Sequence, residues 1–239
     1  MFEGNFPRIL AQIKPEDVVL DIGGWFNPFF RANWVIDVLP YATRGRPVGG
    51  QAKEYYSHPT WIQRDICSRE PLPFKDKEID FLVCSHTLED IRDPIFLCAE
   101  ICRVAKRGYI ELPSQIAELS LGIGCRRIIG YPHHRWIAQI SNNKITFLLK
   151  PHFLHTRWKY HFPYSYTKRL KLHEQERLQW LFWEGSFDFE EKIIVGYEEF
   201  LHEIEEFIRS KQAYPEYRYQ MEKLRDLAKK TRDSFFKIR

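Results

Sequence analysis

The sequence predicts an α/β protein built on a doubly wound, mostly parallel β-sheet. Between residues 18 and 113, apolar runs of strand length alternate with amphipathic or turn-rich segments, which is the pattern of parallel strands joined by crossovers. The runs are apolar almost throughout, as expected for strands that are covered on both faces. One connecting segment spaces its apolar residues as a helix does.

Five apolar runs are predicted to be parallel strands, at residues 17–23, 33–40, 60–66, 78–86 and 108–114. A helix is predicted at residues 93–106, where Asp93 provides an N-cap and Pro94 takes the first helical position. Residues 136–150 predict an antiparallel hairpin at the edge of the sheet, because Asn142 and Asn143 tolerate the positive φ of a tight turn. With the two hairpin strands, the predicted sheet has seven strands.

The C-terminal part of the chain predicts a helical extension, with helices from about Glu198 and again from Glu216 to the end. Ile204, Phe207 and Ile208 belong to one apolar stripe, which must pack on another element. We therefore interpret residues 1–150 as a ligand-binding domain. Residues 151–239, an aromatic and basic segment followed by the helices, are interpreted as a substrate cap packed on the same domain.

Composition predicts a folded cytoplasmic protein. The chain is 44% hydrophobic and 28% charged, and none of its apolar runs approaches the roughly 20 residues of a membrane span. The N-terminus lacks the basic-then-apolar pattern of a secretory signal. The five cysteines make an odd set, and Cys98 and Cys102 have no second ligand pair nearby in the sequence. Reduced thiols and no metal site are therefore expected.

Charge is distributed unevenly along the chain. Residues 119–173 contain ten Lys and Arg residues and no acidic residue, although the net charge of the whole chain is only +4. Six of the nine histidines fall in the same block. This acid-free block predicts a surface that meets an anion, such as a phosphate, a nucleic acid or an acidic sugar.

Glycines and carboxylates follow the first two predicted strands, where an open parallel sheet binds its ligands. Gly23 and Gly24 let the backbone approach a ligand without an intervening Cβ. Asp21 ends the first strand, and Asp37 follows 16 residues later at the end of the second. A carboxylate only accepts hydrogen bonds, so Asp37 suits the two hydroxyl groups of a ribose.

Polar residues also follow the third and fourth strands. Asp65 and Ile66 place an acceptor beside an apolar contact, which suits the amino edge and the ring of adenine. Ser85 and His86 lie where a reacting atom would be expected. Each feature alone also fits an ordinary loop, but their coincidence at four strand ends predicts an adenosine-type ligand.

At these residues the chain resembles a known family. The segments "VVLDIGGWFNPF", "WVIDVLPY", "RDICSREPLPFKDKEIDFLVCSHTLEDIRDP" and "RVAKRGYIELPS" are similar to successive motifs of the class I S-adenosylmethionine-dependent methyltransferases, which have a Rossmann-like fold. The closest similarity is to the branch found with glycan or small-molecule biosynthesis enzymes. The resemblance covers roughly residues 16–114.

The resemblance implies that S-adenosylmethionine is the cofactor. It implies that Asp21, Gly23 and Gly24 border the methionine half of the cofactor, and that Asp37 takes the ribose. It further implies that Asp65 and Ile66 contact the adenine, and that Ser85 and His86 form the floor beneath the sulfonium.

Two positions depart from the family pattern. Asp90 stands where histidine is common, and Trp25 stands where many members have glycine. A tryptophan at positive φ would be an outlier, but Gly23 and Gly24 supply permissive positions just before it. Trp25 is therefore expected to swing outward as a lid or to stack beside the cofactor, where an indole attracts a cation. The alternative is an indole that blocks the pocket.

Methyl transfer needs a base only when the acceptor is a hydroxyl or an amine that must lose a proton. His86, His133 and His134 are the candidates, because histidine titrates near neutral pH. Arg126, Arg127 and Arg135 are expected to bind a phosphate or carboxylate of the substrate, since guanidinium groups match those anions. For His133 and His134, anion binding with packing is the alternative to catalysis.

Three functional classes follow from the sequence. The favoured one is methyl transfer to a hydroxyl or amine of a small anionic acceptor, such as a glycan precursor. An RNA methyltransferase is the second, because residues 158–166 interleave aromatic and basic side chains. The third is a non-catalytic protein of this fold whose cofactor loop is altered at Trp25. The oligomeric state and the acceptor atom cannot be deduced from the sequence.

Overall fold

The computed structural model describes residues 1–48, 53–171, 173–221, 224, 225 and 228. Its strands are β1 Val19–Ile22, β2 Trp34–Asp37, β3 Trp61–Gln63, β4 Phe81–Ser85, β5 Arg107–Pro113, β6 Trp136–Ser141, β7 Lys144–Leu149, β8 Leu178–Glu184 and β9 Asp188–Glu191. Its α-helices are α1 Phe6–Ala11, α2 Pro94–Val104, α3 Gln115–Glu118, α4 Tyr164–Leu170, α5 Glu174–Arg177 and α6 Tyr197–Ser210.

The main sheet has the strand order β3-β2-β1-β4-β5-β8. Strands β1 to β5 are parallel, and β8 pairs antiparallel with β5. The five parallel strands were all predicted. The order reverses between β1 and β4, where Leu20 pairs with Leu82. A crevice forms beyond the carboxyl ends of strands at such a reversal, so this is where a ligand is expected.

The prediction of a seven-stranded sheet is wrong: in the described part of the chain the sheet has six strands, and β8 rather than the hairpin forms its antiparallel edge. The hairpin itself is confirmed, with Asn142 and Asn143 at φ of 47° and 59°. It joins β9 in a separate three-stranded sheet. The hairpin forms a layer of its own because both of its faces are apolar: Ala138 and Phe147 pack on the core of the main sheet, and Ile137 and Leu148 pack on a second core.

The prediction of a doubly wound sheet holds only in part. Helix α2 makes the crossover from β4 to β5, and Asp93 caps it by accepting a hydrogen bond from the Phe96 N–H. The connection from β1 to β2 is irregular over residues 23–33. That connection is shorter than a helical crossover requires, and Pro28 interrupts it. The side of the sheet that includes Val19 and Phe81 is covered by α1 and the Phe29–Phe30 turn instead.

The C-terminal part adds a second hydrophobic core. Helix α6 begins one residue before the predicted start and buries Phe200, Ile204 and Ile208. These residues pack with Leu154 and Phe162 of the aromatic segment. Residues 216–221 are helical, and most of the remaining helix that was predicted after Glu216 lies outside the described residues. None of the described helices combines the length and the apolar character that crossing a membrane requires.

Candidate functional site

A cavity of about 320 Å³ lies at the carboxyl ends of β1 and β4. We call it the glycine cavity; its lining residues are Met1, Asp21, Gly23, Gly24, Phe26, Asn27, Ser85 and His86. It lies at the point where the strand order reverses, and its volume is within the range of small-molecule sites. Five of the predicted site residues therefore meet in one place.

The glycine turn after β1 has no room for side chains. Gly23 has φ of +77°, and a Cβ at this position would lie 2.0 Å from Thr87 Oγ1. A Cβ on Gly24 would lie 2.3 Å from Asp21 Oδ2. The Gly23 N–H donates to the Ile36 carbonyl, 2.9 Å away, which ties the turn to the end of β2. Gly23 is thus required by its backbone conformation and by close approach, and Gly24 by close approach.

The carboxylates of Asp21 and Asp37 hold the loop between them. Asp21 Oδ2 accepts from the Phe29 N–H at 2.7 Å, and Asp37 Oδ2 accepts from the Trp25 N–H at 3.1 Å. Asp37 Oδ1 also accepts from the Leu39 N–H at 2.8 Å. Burial raises the pKa of Asp21 to about 7, and the nearby charge of Asp37 adds to this increase. Burial likewise raises the pKa of Asp37.

Trp25 does not lie over the cavity. Its backbone is not in the left-handed region, because Gly23 takes the positive φ instead. Its indole Nε1 donates to Thr43 Oγ1 at 3.0 Å, and Trp25 is absent from the cavity lining. The blocked-pocket alternative therefore does not fit the structure. The aromatic side chain at the cavity is Phe26, which is 71% exposed and which sequence reasoning did not select.

Ser85 and His86 belong to a polar network beneath the cavity. Ser85 Oγ donates to Glu111 Oε1 at 3.0 Å. The His86 ring lies between two carboxylates, with Nδ1 3.2 Å from Glu89 Oε1 and Nε2 3.2 Å from Glu111 Oε1. Glu111 Oε2 accepts from the Tyr109 hydroxyl.

Two glutamates make His86 a cation. Burial alone would lower the pKa of His86, but hydrogen bonds to Glu111 and Glu89 outweigh it and raise the pKa to about 9. For Glu111, burial would raise the pKa, and the hydrogen bonds from His86 and Tyr109 help to lower it to about 2. The raised pKa favours the imidazolium at neutral pH, which cannot accept a proton, and the role of His86 as a base stays a prediction.

The residues that follow β3 are not part of the glycine cavity. Asp65 Oδ1 accepts from the Cys67 N–H at 2.8 Å, and Oδ2 lies 3.1 Å from Arg92 NH2. Ile66 packs in the core of the main sheet. The structure accounts for Asp65 as a turn and ion-pair residue, and the predicted adenine contacts stay a prediction.

A second cavity, of about 390 Å³, has a basic lining. We call it the histidine cavity; it is lined by Ile128, Ile129, Tyr131, Pro132, His133, His134, Arg135, Leu149, Lys150, Pro151, His152, Leu154 and His155. Arg126 and Arg127 are exposed on the preceding loop and do not line it. Of the three predicted anion-binding arginines, only Arg135 lies there.

His134 contacts a buried glutamate that also pairs with Lys150. Its Nδ1 lies 2.5 Å from Glu118 Oε1, and Lys150 Nζ lies 2.7 Å from Glu118 Oε2. The Tyr131 ring stacks on the imidazole at 4.5 Å. His133 Nε2 and His134 Nε2 both face Asp90, at 3.9 and 3.7 Å from its carboxylate oxygens.

A single turn after β4 joins the two cavities. His86 at its start lines the glycine cavity, and Asp90 at its end faces the two histidines. The carbonyl of Glu89 accepts from the Arg135 N–H at 2.8 Å, which fixes the histidine loop to this turn.

Glu89, Glu111 and Glu118 were missed by sequence reasoning, which considered only the residues just after each strand. The available signal was the charge itself, since Glu111 and Glu118 interrupt apolar runs. A charge in an apolar run must be paired when it is buried.

The chain is similar to known proteins over part of its length. Residues 40–110 match the family model of a methyltransferase domain. This match covers less than a third of the chain. No curated protein sequence matches the chain.

Among solved structures, a Methanosarcina mazei S-adenosylmethionine-dependent methyltransferase is 20% identical, with 46% of this chain and 58% of that chain covered and a TM-score of 0.34. A Mesorhizobium loti enzyme of the same description is 13% identical, with 61% and 63% covered and a TM-score of 0.33. The chain therefore spans less than two thirds of the length of either of these two proteins.

Proposed function

We propose that the chain transfers a methyl group from S-adenosylmethionine to a hydroxyl or amine of a small anionic acceptor. The observation that supports this most is the pairing of the two cavities. The glycine cavity carries the carboxylate and glycines suited to the cofactor, and one turn connects it to a basic cavity suited to the acceptor. On this proposal, the segment that contributes His152 and His155 is the substrate cap of a domain formed by residues 1–150.

The residues of the glycine cavity fit the cofactor. When bound, S-adenosylmethionine supplies a methyl group activated by its sulfonium. Gly23 and Gly24 allow its methionine part to approach the backbone, and the carboxylate of Asp21 complements a positive charge. Asp37, which ends β2 and does not itself line the cavity, is the proposed ribose partner: each of its oxygens accepts one backbone N–H and retains a lone pair for a hydroxyl.

The proton of the acceptor is removed in the histidine cavity on this proposal. His86 is already protonated at neutral pH and serves instead to position Glu89 and Glu111. His134 has the geometry of an oriented base, because the Glu118 carboxylate fixes its Nδ1 and leaves Nε2 available. His133, which is 65% exposed, is the alternative proton acceptor.

The acceptor is proposed to be anionic because the histidine cavity is lined by basic side chains. Arg135, Lys150 and four histidines line it, and Lys150 also pairs with Glu118. A phosphate or a carboxylate on the acceptor would be attracted to this lining. The acceptor is proposed to be a small molecule because the histidine cavity has a volume of about 390 Å³.

The aromatic residues of the basic segment do not favour the RNA alternative. Tyr160 and Phe162 are buried in the second core, and Tyr166 stacks on Phe162. Trp158 packs against Tyr214. Aromatic rings that are used in packing are not free to stack on bases.

Calorimetry with S-adenosylhomocysteine and sinefungin tests the proposal. We expect micromolar affinity for both ligands, weakened by about 1–3 kcal/mol in Asp37→Ala because charged hydrogen bonds are lost. Asp76→Ala is the matched control, since Asp76 is an exposed carboxylate that pairs only with Arg103 among the described residues. Absence of binding by the folded wild-type chain would refute the cofactor assignment, and equal affinity of the two variants would refute the role of Asp37.

A further inference from the structure

We propose that Asp90, His133 and His134 form a binding site for one divalent transition-metal ion at the wall of the histidine cavity. One ligand atom from each of the three side chains lies within 4.8 Å of the other two. Two imidazoles and one carboxylate are a donor set that zinc and other first-row divalent ions accept. The ion binding does not depend on the proposed methyl transfer.

The separations in this cluster do not match hydrogen bonds. His134 Nε2 lies 3.7 Å from Asp90 Oδ1, and His133 Nε2 lies 3.9 Å from Asp90 Oδ2. Hydrogen bonds between such groups have lengths of about 2.7–3.2 Å. Two ligands of a tetrahedral ion, each bound at about 2.1 Å, are separated by about 3.4 Å. The separations in this cluster are therefore closer to those between two ligands of one ion than to hydrogen-bond lengths.

An unpaired oxygen lies at the centre of the cluster. Asp90 Oδ1 is buried and receives no hydrogen bond from the described residues. A buried, unpaired carboxylate oxygen carries a desolvation cost, and a cation at this place would remove it.

The partners of His134 suit a metal ligand. A metal-binding histidine usually donates its other ring N–H to a carboxylate, which fixes the ring and raises its basicity. Glu118 Oε1 lies 2.5 Å from His134 Nδ1, and Lys150 Nζ holds the other oxygen of Glu118. With its proton on Nδ1, the ring directs the Nε2 lone pair toward Asp90.

The open coordination positions of such an ion would face the histidine cavity, because His133 and His134 line it. If methyl transfer occurs there, the ion would bind an oxygen of the anionic acceptor and lower the pKa of its hydroxyl. A metal-bound His134 could not serve as a base, so the ion would replace it in that role. This part of the inference rests on the proposed function.

The test is metal binding by the full chain after removal of metals with a chelator. We expect one Zn²⁺ per chain by calorimetry, and a visible absorption band on substitution with Co²⁺. Asp90→Asn and His133→Ala should each weaken Zn²⁺ binding by at least tenfold, and Glu118→Gln should weaken it by about tenfold or more. His152→Ala, which removes an imidazole from the same cavity, should leave the affinity unchanged.

The controls separate a lost site from a misfolded chain. His133 is 65% exposed, so His133→Ala removes a ligand with little loss of packing. Absence of Zn²⁺ binding by the wild type, or equal effects of His133→Ala and His152→Ala, would overturn the proposal. S-adenosylhomocysteine affinity is measured on the same samples: its absence beside intact Zn²⁺ binding would refute the proposed function and leave the metal site standing.

Discussion

Cofactor affinity is expected to rise with pH through the ionisation of Asp21. The pKa of this buried carboxyl is about 7 in the free protein, and a cationic ligand binds better to the ionised form. About one tenth of the Asp21 side chains is ionised at pH 6 and about nine tenths at pH 8. If only the ionised form binds tightly, the apparent Kd falls about tenfold between these two values.

Calorimetry with S-adenosylhomocysteine at pH 6, 7 and 8 measures this effect. Asp21→Asn is the control, because its side-chain oxygen can still accept from the Phe29 N–H while its charge is absent. Titration of the ligand's own amine is common to both proteins, so the ratio of their affinities isolates Asp21. A ratio that stays constant from pH 6 to pH 8 would refute the assignment of Asp21 to the cofactor's cationic part.

Three further outcomes are expected. Gly23→Ala should lower the free energy of unfolding, measured in urea, by at least about 1–2 kcal/mol. Alanine at φ of +77° is strained, and its Cβ would clash with Thr87. An unchanged free energy of unfolding would contradict this prediction. Trp25→Phe should lower the free energy of unfolding by about 0.5–1.5 kcal/mol, because the hydrogen bond to Thr43 is lost. The affinity for S-adenosylhomocysteine should stay within twofold of the wild type. A large loss of affinity would show that the indole contacts the ligand. The His86 ring should titrate near pH 9 by NMR, and Glu111→Gln should lower that pKa because it removes a neighbouring negative charge; no change would rule out the ion pair.

The parallel strands could be predicted because each is recognisable within its own sequence. β1, β2 and β4 are short apolar runs that end at a turn residue, and α2 begins with Asp93 and Pro94. β8 was missed, because its place beside β5 depends on a pairing of residues about 70 positions apart. The position of the hairpin was also wrong, since the layer it joins depends on which core covers each of its two faces.

The cavity residues could be predicted where topology alone brings them together. Asp21, Gly23, Ser85 and His86 follow strands that are neighbours in the sheet, so their meeting is a consequence of the strand order. The protonation state of His86 could not be predicted, because it depends on Glu111 of the neighbouring strand as well as on Glu89 in the same turn. Trp25 was expected to be accommodated because Gly23 and Gly24 supply permissive positions before it, and Gly23 does adopt the positive φ two residues earlier.

The basic residues of the acid-free block fall into two groups: some form structural ion pairs, and others line the histidine cavity. Part of its positive charge is structural: Lys150 pairs with Glu118, Lys144 with Glu190 and Lys159 with Glu205, and all three acids lie outside the block. These pairs attach the block to β9, α3 and α6, so their removal would affect folding rather than a ligand. The basic groups that line the histidine cavity, His152 and His155 among them, lie where an anion could reach them. On the proposed function, the lining of the histidine cavity would recognise the acceptor, and the overall charge of the block overstates the attraction that an anionic ligand would experience.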